Sequence, residues 1–325
     1  MVLQPTLPLG ARTTMSATPK LRVDHVWKTF VTSRGQDVVA LEDLSLTVGE
    51  NEFVSLVGPS GCGKSTLLMM AAGLEETTAG EMFIGDRAID GPGPDRGMVF
   101  QSYTLFPWLT VEENIRFALK KSGLDRAGQT RLVQEHIRLV GLEGFERAHP
   151  NQLSGGMRQR VTIALATLLG PTIIVGDEPT TALDVVVQRG VVQLLKNVQS
   201  NLQNTIVLVT HDMGVHVNAA DRIGIMYAGK IVEEATTEKI FGQPEHPYTQ
   251  YLINSLPKFG DKTPRESVPG SPPSLAELPP GCPFHPRCPL VKDICKQTMQ
   301  GFTEIARDHK VACWLVRERD HGSTA

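Results

Sequence analysis

Apolar and polar side chains alternate over residues 21–30, where Leu21, Val23, Val26 and Trp27 are interleaved with polar positions, and again over residues 41–48 before Gly49-Glu50. A period of two predicts strands with one buried face, and these two segments read as an antiparallel pair. Residues 54–57 are an almost unbroken apolar run, predicting a short buried strand, and residues 64–73 follow as a helix. Residues 82–84 with a turn at Gly85-Asp86 predict a hairpin that returns to the first pair, and residues 98–100 predict another buried strand delivering Gln101. Between residues 111 and 169 the period becomes helical, in three segments at 111–119, 131–140 and 159–169, with a break at 150–153. An apolar strand over residues 172–176 then ends in Asp177 and Glu178. After a helix at 185–199, a strand at 205–210 ends in His211. Strands alternating with helices predict an α/β fold, and ligands of parallel α/β sheets bind beyond the strands' C-terminal ends.

Composition narrows the class. The chain of 325 residues has 41% apolar residues and a formal net charge of −3, so it is long enough for two or three domains and carries no electrostatic footprint for nucleic acid. Residues 1–20 hold Pro5, Pro8 and Gly10 and no apolar core of signal-peptide length, and are expected to be a disordered tail. The longest apolar stretch, residues 161–175, is interrupted by Gly170 and Pro171 and falls short of the roughly 20 residues that cross a bilayer. Of five cysteines one is Cys62 and four follow Gly281, a distribution that favours metal or reduced thiols over disulfides.

The chemistry centres on residues 55–68, SLVGPSGCGKSTLL. Gly58, Pro59, Ser60, Gly61, Cys62, Gly63, Lys64 and Ser65 have the order G-x-x-x-x-G-K-S between a strand and a helix, with Thr66 in the helix's first turn. Backbone N–H groups of such a loop and the positive end of the helix cradle nucleotide phosphates. Lys64 then reaches the β- and γ-phosphates, and Ser65 ligates Mg²⁺. A glycine-rich turn with an exposed lysine is the plain alternative, and the flanking apolar strand and helix argue against it. Gln101 is placed to touch Mg²⁺ or the attacking water, Asp177 to hold Mg²⁺, Glu178 to polarise water, and His211 stands at the same edge. Ser154, Gly155 and Gly156 open a helix and form a second anion site. Phe30 closes a strand either as a ring that stacks on a base or as a core residue.

From residue 21 to 241 the chain resembles the ATP-binding subunits of ABC transporters. Residues 58–65 match the Walker A motif, Gln101 the Q-loop, residues 153–157 the LSGGQ signature, residues 173–178 the Walker B strand with its catalytic Glu, residues 182–184 the D-loop, and His211 the switch histidine. Two positions depart: Met157 stands where Gln is usual, and Gly176 where an apolar residue is commoner. The resemblance implies a P-loop ABC cassette over residues 21–242, with a RecA-like core, an antiparallel β-subdomain and a helical subdomain at about 103–168. It implies ATP and Mg²⁺, and head-to-tail pairing in which Ser154, Gly155 and Gly156 of one subunit cover the ATP of the other and Asp184 bridges the two. It also implies a membrane permease, an extracytoplasmic solute-binding protein, and a peripheral place on the cytoplasmic face of the membrane.

Residues 243–325 resemble the C-terminal extension of oligopeptide, dipeptide and nickel importer ATPases, with a Pro- and Ser-rich linker at 257–281. Residues 102–111 instead resemble nitrate, sulfonate and taurine importers, which leaves a second substrate class open. A soluble ABC ATPase acting on nucleic acid or ribosomes is a further alternative, weakened by the lack of a second cassette. Cys282, Cys288, Cys295 and Cys313 have spacings wider than common zinc sites. The resemblance implies a metal centre on these cysteines, either a [4Fe–4S] cluster or structural Zn²⁺.

Overall fold

In the computed structural model, which describes residues 19–181, 183–256 and 268–316, the alternating N-terminal segments pair as their period requires. β1 (Leu21–Val31) and β2 (Asp37–Val48) run antiparallel, with Leu21 opposite Val48 and Phe30 opposite Val38. β3 (Phe53–Val57) is fully buried and leads through the glycine loop into α1 (Lys64–Ala71). β4 (Ala79–Ile84) pairs with the other edge of β1 and turns into β5 (Arg87–Ala88), closing a four-stranded sheet in the order β2-β1-β4-β5. Of the expected tail only Pro19 and Lys20 fall within the described residues.

β6 (Arg96–Val99) begins the parallel layer. The helical segments appear as α2 (Val111–Ala118), α3 (Arg126–Leu139) and α4 (Gly155–Thr167). Side chains start all three. Thr110 and Glu113 form a reciprocal capping box on α2, Asp125 caps α3, and Ser154 caps α4. β7 (Ile173–Asp177), α5 (Val185–Leu202), β8 (Thr205–Val209) and α6 (Met213–Ala219) follow. β9 (Arg222–Tyr227) and β10 (Lys230–Thr236) form a hairpin, followed by α7 (Thr237–Gly242) and α8 (Pro247–Asn254). β11 (Thr303–Ala306) and β12 (His309–Val311) come last in the chain yet extend the large sheet, whose order is β11-β12-β10-β9-β3-β8-β7-β6. Its central strands β9, β3, β8, β7 and β6 are parallel.

β3 divides the core. Val54 and Leu56 join one cluster with Leu21, Leu44, Leu67 and Leu68, while Phe53 and Val57 join the other with Val161, Val191 and Phe284. Residues on successive positions of a strand face opposite sides, so one buried strand serves both layers. Of the expected linker, residues 257–267 lie outside the described residues, and within 268–281 Val268, Leu275 and Leu278 pack against the second cluster.

Polar groups tie the last segment to the sheet. Glu233 is fully buried in β10, and its carboxylate accepts the N–H groups of Glu245 and His246, both at 2.9 Å, while His309 Nε2 on β12 lies 2.8 Å from it. Burial alone pushes the Glu233 carboxyl up, but these partners outweigh it and hold the carboxyl below its ordinary range. Arg222 at the start of β9 is clasped by Glu52, Glu234 and the carbonyl of Thr47, joining three strands.

His216 and His246 are buried, and loss of solvent pushes both rings down from 6.5 to about 4. Below about pH 6.5 the unfolded chain binds protons on these rings that the folded chain refuses until about pH 4. Stability should therefore fall as pH is lowered through that window, by about 1.4 kcal/mol per pH unit for each ring. Thermal-unfolding midpoints measured between pH 7 and 4.5 check this, and a midpoint that stays constant from pH 6.5 to 5 would contradict neutral burial.

Candidate nucleotide-binding site

The parallel strands bring four segments of chemistry to one edge of the sheet. The glycine loop follows β3, Gln101 follows β6, Asp177 and Glu178 end β7, and His211 follows β8. Glycine is required where the loop meets backbone. A Cβ on Gly58 would stand 2.2 Å from the carbonyl oxygen of Met226, and one on Gly63 would stand 2.5 Å from that of Ala40. Gly63 also has φ +102 at the cap of α1, and Gly61 has φ +77 at the open crest beside exposed Ser60. The first turn of α1 thus points its free N–H groups into the loop, an arrangement that suits an anion.

Lys64 is buried, and its Nζ donates to the carbonyls of Gly58 and Pro59, both at 2.8 Å. Cys62, beneath the loop, is a buried thiol pushed up by desolvation. It fills space and is no ready nucleophile. Ser65 Oγ donates to Asp177 Oδ1 at 3.0 Å, and burial raises the Asp177 carboxyl, countered by the Ser65 hydrogen bond. A hydroxyl and a half-buried carboxylate oxygen meeting beside a phosphate loop form an oxygen donor pair that fits Mg²⁺, which takes one or two protein oxygens and leaves its other positions to water and phosphate.

Glu178 has φ +47, a left-handed backbone outside glycine, fixed by its N–H donating to Val209 at 2.8 Å. Its Oε2 accepts from Thr181 Oγ1 at 2.7 Å and lies 3.3 Å from His211 Nδ1. The ring of His211 is largely exposed. Thr181 carries no motif signal in the sequence. Gly176 leaves room for Leu208, whose Cδ1 would lie 2.8 Å from an added Cβ, which accounts for the small residue in the Walker B strand.

The remaining candidates lie apart. Gln101 is exposed. Ser154 Oγ accepts from Met157 N–H at 3.3 Å, and Gly156 is pressed against Val187, where a Cβ would fall 2.3 Å from Cγ1. α1 packs on β2, β7 and β8, whereas α4 packs on β6, α2, α3 and α5, so Ser154, Gly155 and Gly156 belong to a different part of the chain from its own loop. Met157 packs inward against the second core cluster. Asp184 caps α5, accepting from Val186 and Val187, and exposed Val185 and Val186 stand beside it. Ala182 lies outside the described residues. Phe30 is exposed, which removes the core reading, with Lys28 Nζ 4.9 Å from its ring centre. It pairs with Val38, two residues before the Ala40 carbonyl that touches Gly63.

Cys282, Cys288, Cys295 and Cys313 line one small cavity with His246 and Phe284. Burial pushes the Cys282 thiol up to about 12 and that of Cys313 up to about 11. Among the described residues no three of His, Cys, Asp or Glu converge closely enough to hold a single metal ion. That arrangement supports neither of the two expected metal centres over the other.

The family described as ABC transporter matches residues 41–181, and the one described as oligopeptide/dipeptide transporter, C-terminal region, matches residues 232–295. The dipeptide transport ATP-binding protein DppD of Bacillus subtilis (strain 168) is 38% identical over 92% of this chain and 95% of its own length. The oligopeptide transport ATP-binding protein AppD of the same strain is 35% identical over 90% and 95%. Among solved structures, the dimeric bacterial ABC transporter cassette MJ0796 superposes with TM-score 0.61 at 34% identity, covering 67% of this chain and 98% of that one. A dimeric post-hydrolysis state of the same cassette, bound to ADP and Pi, gives 0.60 at 33% over the same shares. With the glycine loop, the carboxylate pair and the sheet edge agreeing with these likenesses, the chain belongs to the ATP-binding proteins of the ABC transporter family that carry the oligopeptide/dipeptide C-terminal region.

Proposed function

We propose that this chain hydrolyses ATP to drive import of peptides through a separate membrane permease. The observation that carries the reading is the meeting of Ser65 and Asp177 at 3.0 Å beneath the phosphate loop, with Glu178 and His211 beside them. In this reading the N–H groups of residues 60, 61 and 63–66 and the ammonium of Lys64 hold the phosphates, so Lys64 exchanges its loop carbonyls for β- and γ-phosphate oxygens. Ser65, Asp177 and Gln101 hold Mg²⁺, which neutralises charge on the phosphates when bound. Phe30 stacks on the base. Glu178 accepts a proton from water as that oxygen attacks the γ-phosphorus and the bond to the bridging oxygen breaks. His211 and Thr181 keep the carboxylate in place.

Ser154, Gly155 and Gly156 of a second ATP-binding subunit, identical or different, complete the charge-stabilising shell, with Asp184 at the junction. Closure of the two subunits then couples chemistry to movement.

Peptide is the proposed cargo because relatives matching over nine-tenths of the chain are named for dipeptide and oligopeptide transport. The segment 102–111, with its likeness to nitrate and sulfonate importers, bears on docking instead. Phe106 packs at a tilt against Trp108 and Phe117 with ring centres 5.4 and 4.7 Å apart, and Trp108 is 69% exposed. Such a patch suits a permease helix. No helix among the described residues is long and apolar enough to cross a membrane, so the cytoplasmic membrane face would be reached through that contact. A solute-binding protein on the other side would deliver the peptide. The four-cysteine cavity is proposed to hold a [4Fe–4S] cluster, whose thiolates bind separate irons and need not converge on one point.

Glu178→Gln should keep ATP affinity and lower turnover by about 10²-fold or more, because the acid acts on water. Wild-type turnover by the variant in complex with its permease would remove Glu178 from the mechanism. For the cysteine cavity, anaerobic purification followed by iron, acid-labile sulfide and zinc analysis should give iron and sulfide in equal amounts. Four freely titratable thiols without iron would exclude the cluster.

A further inference from the structure

The turn between β9 and β10 forms a floor beneath the phosphate loop. Besides the close approach of the Met226 carbonyl to Gly58, the Gly229 N–H donates to the Cys62 carbonyl at 3.0 Å. Both central residues of the turn have positive φ, +48 at Ala228 and +79 at Gly229. For alanine that conformation persists only when its surroundings impose it.

Those surroundings come from the C-terminal extension. Tyr227, between Met226 and Ala228, is fully buried, with ring centres 4.7 Å from Tyr248 and 5.4 Å from Phe284. Its hydroxyl accepts from Arg287 Nη1 at 3.1 Å. Arg287 is itself fixed, donating from Nε to the Pro269 carbonyl at 2.8 Å and from Nη2 to that of Gly270 at 3.0 Å. Phe284 and Arg287 lie on the short turn between Cys282 and Cys288. A side chain of the extension is therefore one residue away from the backbone that supports Gly58.

We propose that Arg287 and Phe284 are positioning residues for the phosphate loop of their own chain, acting through Tyr227 and the β9–β10 turn. The proposal rests on the reading of that loop as the ATP site and is independent of what the cysteine cavity holds. The loop meets its floor backbone to backbone, with no side chain to absorb a shift. A displaced Tyr227 moves the Met226 carbonyl, and the N–H cradle must follow. The extension has a second anchor, the Glu233–His309 contact and the β10–β12 ladder. That anchor supplies a control for general loosening.

The test measures the MgATP dissociation constant of the full chain by equilibrium titration, together with its thermal-unfolding midpoint. Tyr227→Phe should weaken MgATP binding by about five- to tenfold, as loss of a single partly buried hydrogen bond implies, and Arg287→Ala by at least as much, since it also releases the Pro269 and Gly270 carbonyls. The double variant should be no weaker than Arg287→Ala, since both changes remove the same bond. Arg287→Lys should recover part of the affinity. His309→Ala should lower the midpoint and leave the dissociation constant within about twofold of the wild type. Arg287→Ala and Tyr227→Phe within that same range would overturn the proposal, as would an equal loss of affinity in His309→Ala. Failure of the wild-type chain to bind MgATP at all would refute the ATP reading instead, so the two failures are distinct.

Discussion

The phosphate loop exists in its present shape because Gly58 and Gly63 have no side chains. Carbonyl oxygens of Met226 on one side and Ala40 on the other occupy the space where Cβ atoms would stand. Backbone thus packs on backbone, and the loop is held between β2 of the small antiparallel sheet and the β9–β10 turn of the large one. Every other part of the site is placed relative to that clamp. α1 starts where the loop ends, and Ser65 in its first turn reaches Asp177 at the end of β7. Glu178 is turned toward His211 by a backbone conformation that only fixed surroundings maintain.

Electrostatics explain why such a site waits for a ligand. Lys64 is buried, its donors received by the carbonyls of Gly58 and Pro59 and the neutral thiol of Cys62, and Asp177 is raised by burial, with the Ser65 hydroxyl donating to it. In the proposed function a phosphate and a divalent cation satisfy both charges at once. Ser154 lies with α4 in another part of the chain from the glycine loop, which in the proposed function suits completion of the site by a second subunit.

Local chemistry was legible in the sequence, and long-range chemistry was not. Gly58 to Ser65, the Asp177–Glu178 pair and the Ser154-Gly155-Gly156 turn announce themselves because their meaning lies within a few residues. The hairpin of β9 and β10 escaped the pattern reading because Glu233 and Glu234 are buried charges that break the apolar run of β10. Their partners explain the breach: His309 stands 76 residues from Glu233 in sequence. The same distance hid the attachment of the extension, since nothing near Tyr227 foretells Phe284 or Arg287. Phe30 is exposed, which removes its reading as a core residue, and Asp184 has a capping task alongside any role between subunits. The cysteines were legible as a group, and the four line one cavity.

Whether the clamped glycine loop is the ATP site is decided by equilibrium titration of the full chain with ATP and Mg²⁺, comparing wild type with Gly58→Ala. The wild type should bind nucleotide saturably and the variant should lose that binding at an unchanged circular-dichroism spectrum, because the added methyl group must push the loop off the Met226 carbonyl. Full-strength saturable binding by Gly58→Ala would contradict it.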